Sequence, residues 1–109
     1  MKLKKVILTT AAAVLAGVLL TSTSAYALDG AALYQAKTCF ACHGADAKTP
    51  VMPAYPKLAG QGAVYALQQM KDIKSGARAN GLSPAMKAVM QMVSDEEMAA
   101  IAQWLEGLN

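Results

Sequence analysis

Hydrophobic positions return at helical spacing in four stretches of the chain, and after residue 28 runs of β-branched residues, as strands would carry, are almost absent. Ala32, Leu33 and Ala36 mark the first helix, which Asp29-Gly30 is placed to cap and which runs into or near Cys39. The segment AVYALQQMKDIKSG, residues 63–76, puts Val64, Leu67, Met70 and Ile73 on one stripe and stops at Gly76. Asn80-Gly81 turns the chain, and Ser83-Pro84 then supplies a cap followed by proline at the first helical position. The last helix has the strongest signature: Ser94-Asp95-Glu96-Glu97 is a capping box with acids at the positive end of the helix dipole. Met98, Ile101, Leu105 and Leu108 form its buried face, and Gly107 ends it. The prediction is an all-α domain of three to four short helices. Between the first two lies GADAKTPVMPAYPKLAG, residues 44–60, with three prolines and no periodicity. A loop of that length is uncommon in a compact domain unless it covers or lines something.

The first 27 residues follow another pattern. MKLKK is basic, residues 6–20 form an apolar run of 15 residues, and Ala25-Tyr26-Ala27 offers small residues before a cut. That run is short for a bilayer span, which takes about 20 residues, and the three-part layout is that of a secretory leader. A signal peptide over 1–27 and a mature domain over 28–109 are therefore expected, in the periplasm, with no stable membrane insertion after cleavage. No cysteine follows the apolar run, so a lipid anchor is not indicated.

The leader also changes the reading of charge. The chain's formal +3 and pI of about 9.0 come from ten basic residues against seven acids. Lys2, Lys4 and Lys5 lie in the leader, so the remaining seven basic residues balance the seven acids, and the pI is no argument for a nucleic-acid partner. All seven lie between Lys37 and Lys87 with only Asp46 and Asp72 among them, a sum of +5, whereas Asp29, Asp95, Glu96, Glu97 and Glu106 put −5 on the two ends.

A mature chain of 82 residues is near the size at which an unaided apolar core is marginal. Its two cysteines close too small a loop to restrain much of the unfolded chain. They belong to Cys39-Phe40-Ala41-Cys42-His43, which also holds the only histidine. A thioredoxin-like dithiol requires C-x-x-C in a βαβ context, and the strands are missing. Structural zinc requires four ligands, and the chain offers two thiolates and one imidazole in a single cluster. C-x-x-C-H is the specific signal of c-type haem attachment: Cys39 and Cys42 reach one edge of a porphyrin as thioethers while His43 is held over the iron. A secreted chain, a core needing a large apolar guest and a loop needing something to line all agree with one haem c per chain.

With one histidine, bis-histidine ligation within the chain is impossible. Methionine, lysine, a weaker ligand, water or no ligand is left for the second axial position. Six methionines follow the leader, Met52, Met70, Met86, Met90, Met92 and Met98. Met70 and Met98 fall on packing stripes and Met52 lies in the loop after the histidine, whereas Met86 sits where the chain changes direction and Met90 is one helical turn later.

GAALYQAKTCFACHG, PKLAGQGAVYALQQMKDIKSGAR and MKAVMQMVSDEEMAAIAQWLEGL together resemble the small monohaem class I c-type cytochromes of the bacterial periplasmic branch, over essentially the whole mature chain. That resemblance implies the class I cytochrome c fold wrapped around one covalently bound haem, and places the distal methionine eight residues before the Ser94 that opens the last helix, at Met86. It further implies that the Pro56 carbonyl accepts the Nδ1 proton of His43, and that Gly30 and Tyr34 lie where the first helix crosses the last, with Trp104 in the usual aromatic position. Lys87 follows Met86 where many relatives have proline, which keeps Met90 as the rival ligand.

If His43 and Met86 both bind iron, no open site remains for a substrate. The expected protein is then a non-enzymatic, monomeric electron carrier serving membrane-bound oxidase or reductase complexes or soluble reductases. The basic rim of Lys48, Lys57 and Lys87 would meet an acidic partner. The alternative is a haem-binding sensor, or the cytochrome subunit of a larger redox enzyme with a vacated distal site.

Overall fold

Residues 28–109 are described by a computed structural model; the expected leader over 1–27 lies outside the described residues. Five helices follow in order among them: α1 (Gly30–Ala36), α2 (Phe40–His43), α3 (Ala63–Ser75), α4 (Ser83–Met90) and α5 (Asp95–Glu106). The Asp29 carboxylate accepts from the Ala32 amide at 3.1 Å, so α1 begins where its sequence cap indicated. It does not run on into the cysteines. Thr38 adopts φ +64° and breaks the helix, and α2 restarts as a single turn, which raises the count above the expected three or four.

Helix α3 ends at Gly76, left-handed at φ +88°. Its buried residues are Ala66, Met70 and Ile73, with Leu67 packed beside them, while Val64 is 86% exposed. The geometry of the helix explains the difference. Steps of three residues advance about 300° each, so a stripe drawn from residue 64 to residue 73 drifts by about half a turn, and the start and end of that stripe face opposite ways. Helix α4 begins one residue earlier than its cap signal, with Leu82 as N-cap and Ser83-Pro84 inside the first turn.

Helix α5 is the axis of the domain. Ser94 Oγ accepts from the Glu97 amide at 3.2 Å and Glu97 Oε1 accepts from the Ser94 amide at 3.0 Å, completing the reciprocal cap. Met98, Ile101, Ala102 and Leu105 are buried against α1 and α3, and α3 in turn carries α4. The crossing with α1 is close: a Cβ at Gly30 would run into the Ala100 carbonyl oxygen and lie 2.6 Å from Trp104 Cβ. Tyr34, fully buried one turn on, packs its ring 4.9 Å from that of Trp104.

Because the Ser94 hydroxyl satisfies an amide that otherwise has no helical partner, Ser94→Ala should lower unfolding stability by about 1 kcal/mol. Denaturant titration of the folded protein reads this directly, with no change expected in the slope of the transition.

Candidate functional site

The Thr38 break sets the direction of the Cys39–His43 turn. The Cys39 amide donates to the Tyr34 carbonyl at 3.1 Å and the His43 amide to the Cys39 carbonyl at 3.0 Å, so the two sulfurs and the imidazole leave one short turn. Cys39 and Cys42 are free and half-buried. Burial pushes the Cys39 thiol up, against the smaller opposing pull of its own backbone hydrogen bond. Gly44 closes the turn at φ +89°, and a Cβ there would also collide with the Thr49 carbonyl.

From beneath, the Tyr34 hydroxyl donates to the Gly44 carbonyl at 2.5 Å. Burial first, and then the neighbouring Cys39, Asp46 and Cys42, push this phenol up to about 12, so it stays a donor across the ordinary pH range. His43 is only 7% exposed, with Nδ1 2.8 Å from the Pro56 carbonyl oxygen. A carbonyl can only accept, so Nδ1 carries the proton. Burial lowers the imidazole's pKa, with the Pro56 contact pulling the other way. The ring is thereby favoured as neutral, with Nε2 unprotonated and available as a Lewis base.

The proline-rich loop does line something. It is tied inward where it passes the turn: the Val51 amide donates to the Cys42 carbonyl, and the Leu58 and Ala59 amides both donate to the carbonyl of buried Ala47. The Asp46 carboxylate accepts from the Lys48 and Thr49 amides at 2.8 and 3.0 Å, bonds that hold its pKa below the ordinary value. The resulting cavity of about 440 Å³ has His43, Cys39 and Cys42 in its wall. That size falls within the range of about 300–1,000 Å³ that suits a large organic ligand. Met70, Met86 and Met90 also face it. Met52 and Met92, 44% and 74% exposed, do not, and Met98 is buried elsewhere in the core. Met90 is 2% exposed and already part of that core, whereas Met86 is half-buried at the cavity.

Of the wall residues that the sequence does not single out, Arg78 is the charged one. Among the described residues, Arg78 is the only lysine or arginine lining the cavity, and no aspartate or glutamate lines it. Its guanidinium donates to the neutral side chains of Gln69 at 3.0 Å and Asn80 at 3.3 Å. The available signal was its identity: it is the one arginine among the basic residues, and arginine suits carboxylate better than lysine does.

Residues 27–109 match the family described as Cytochrome c. The chain is 43% identical over 103 residues to the thiosulfate dehydrogenase electron acceptor of Stutzerimonas stutzeri, covering 86% of this chain and 46% of that protein. It is 46% identical over 82 residues to cytochrome c4 of Pseudomonas aeruginosa, covering 73% and 39% respectively. Cytochrome c-553 of Nitratidesulfovibrio vulgaris is 35% identical over 86 residues, covering 79% of this chain and 82% of that protein. The chain thus spans less than half the length of the first two relatives and most of the third.

Tyr34→Phe keeps the ring against Trp104 but leaves the Gly44 carbonyl without its buried donor. A stability loss of about 1–3 kcal/mol is expected, read by thermal or denaturant unfolding, with Tyr34→Leu costing more because the aromatic contact goes as well.

Proposed function

The chain belongs to the cytochrome c family, whose members carry covalent haem c, and on that premise we propose that it is a periplasmic electron carrier holding one haem with His43 and Met86 as axial ligands. The observation that carries the reading is the His43–Pro56 hydrogen bond at 2.8 Å, on a buried imidazole in the wall of a large cavity that Met86 also faces. The residues present fit the group. Cys39 and Cys42 on one turn would form its two thioethers, and the lone Arg78 guanidinium would face its carboxylates. When bound, the haem supplies an iron centre that takes up and releases one electron.

The chain's own residues do the rest. Pro56 fixes the tautomer and angle of His43. Met86 offers a soft thioether that favours the ferrous state. Met70, Ile73, Met90 and Val93, all buried in the cavity wall, keep water from the ligands. With His43 and Met86 both holding the haem, the chain would leave it no free position for a substrate, and electron transfer is the role this reading supports.

The recovered mature protein should begin at Leu28, appear in the periplasmic fraction and weigh one haem more than its polypeptide. Its ferric spectrum should show the weak red-end band of sulfur bound to iron. Met86→Ala should abolish that band and Met90→Ala should leave it. A band that survives Met86→Ala would overturn the ligand assignment.

Lys48, Lys57 and Lys87 are exposed. On this reading they are the charges through which an acidic redox partner would dock. One relative's name, an electron acceptor of thiosulfate dehydrogenase, makes a dehydrogenase of reduced sulfur compounds a sensible first donor to assay. The bimolecular reduction rate should fall as salt is raised and opposite charges are screened; a rate that is flat or rises with salt counts against docking through this rim.

A further inference from the structure

The helix that carries Met86 and Met90 is held at its own beginning only through the turn before it: the Ser83 amide and hydroxyl donate to Asn80, whose side chain also accepts from Arg78. The N-cap of α4, Leu82, makes no side-chain cap, and Asn80, Gly81 and Leu82 before it are exposed. Its other end is fastened more directly, three consecutive residues there being bonded to other helices. Gln91 Nε2 donates to the Lys74 carbonyl at 3.0 Å and to the Lys87 carbonyl at 3.1 Å. The Met92 carbonyl accepts from Lys37 Nζ at 2.9 Å, and the next carbonyl, Val93, accepts from Lys74 Nζ at 2.5 Å.

The two ammonium groups arrive from different helices. Lys37 caps α1 and immediately precedes Thr38 and Cys39, so it belongs to the haem-attachment side of the domain. Lys74 lies in the last turn of α3. Lys37 is itself aimed, because Glu97 Oε2 stands 3.3 Å from its Nζ while the other oxygen of Glu97 is engaged by the Ser94 amide. Met92 contributes little packing of its own, its side chain being 74% exposed, whereas Val93 is 1% exposed and lines the cavity. The Met92 amide reaches only Val89 of α4, so what ties Met92 to the rest of the fold is the capture of its carbonyl. Exposed lysine–carboxylate pairs contribute little, but the Met92 and Val93 carbonyls lie in the short link between α4 and α5, and a charge-assisted bond to each is stronger than a neutral one.

We propose that Lys37 and Lys74 are positioning residues: a two-sided clamp on the Met92 and Val93 carbonyls that keeps the methionine-bearing helix closed over the cavity. The inference rests on the proposed His/Met ligation. Its consequence is that the distal thioether is retained less by the strength of its own bond than by how rarely α4 swings away. An external base competing for the position then binds in proportion to the open fraction.

The test is imidazole binding to the ferric, haem-loaded protein, followed by loss of the red-end band. Lys74→Met, which keeps length and removes the ammonium, should bind imidazole about tenfold more tightly than wild type, the size expected for one lost charge-assisted bond. Lys37→Met should shift it in the same direction by a smaller factor. Lys74→Arg, which restores a donor, should return toward wild type, and Lys71→Met, an exposed lysine on the same helix, should leave it unchanged. If Lys74→Met and Lys37→Met lower the thermal midpoint but leave imidazole affinity at the wild-type value, the lysines merely stabilise the fold and the clamp is refuted. Should Lys74→Met fail to accumulate, Lys37→Met decides alone. A red-end band that is missing from wild type, or that survives both Met86→Ala and Met90→Ala, refutes the ligation reading and the clamp with it. A clamp that fails alone leaves the band intact.

Discussion

The arrangement depends on one hydrogen bond, from His43 Nδ1 to the Pro56 carbonyl. It decides which nitrogen of the only imidazole is free, and it joins a single helical turn to a loop residue thirteen positions later. Everything around it limits the freedom of its two partners. The turn is set from below by Tyr34 and ended by a glycine that no other residue could replace without collision. The loop is held by the doubly accepting Ala47 carbonyl and by the Asp46 turn. Buried polar groups in an otherwise apolar wall are affordable only when each has a partner, and among the described residues no buried side-chain nitrogen or oxygen lacks one.

What could be read in the sequence was what local chemistry encodes. The capping box at Ser94, the cap at Asp29 and the stop at Gly76 each use residues within a few positions of one another, and each stands in the structure as the sequence indicated. The Cys39–His43 motif is similarly local. The crossing of α1 and α5 at Gly30, Tyr34 and Trp104, and the contact of Pro56 with His43, came from likeness to a family rather than from spacing, and both are present.

The misses share a physical origin. The break at Thr38 places a non-glycine residue at positive φ, against its intrinsic preference, so nothing in the sequence announced it. Steps of three put Val64 on the stripe of Leu67, Met70 and Ile73, but the helical repeat does not sustain them and Val64 faces outward. The contact of Arg78 with Gln69 and the lysine–carbonyl contacts act across 9 to 55 residues of chain, and a long flexible side chain leaves no periodic trace of where it will end. The even +5 of the middle segment is likewise subdivided by the fold: Lys37 and Lys74 turn toward backbone oxygens, leaving a smaller set of lysines free on the surface.

The close approach of Gly30 to Ala100 and Trp104 has a consequence for how such a domain can be combined with others. It brings the entry of the first helix beside the closing turns of the last, so both extremities of the described segment emerge from one region. Segments with neighbouring extremities can be strung in series or spliced into a longer polypeptide without threading through the interior. The packing that seals this unit therefore also suits it to being joined to further chain, since Gly30, Ala100 and Trp104 take no part in the wall of the cavity.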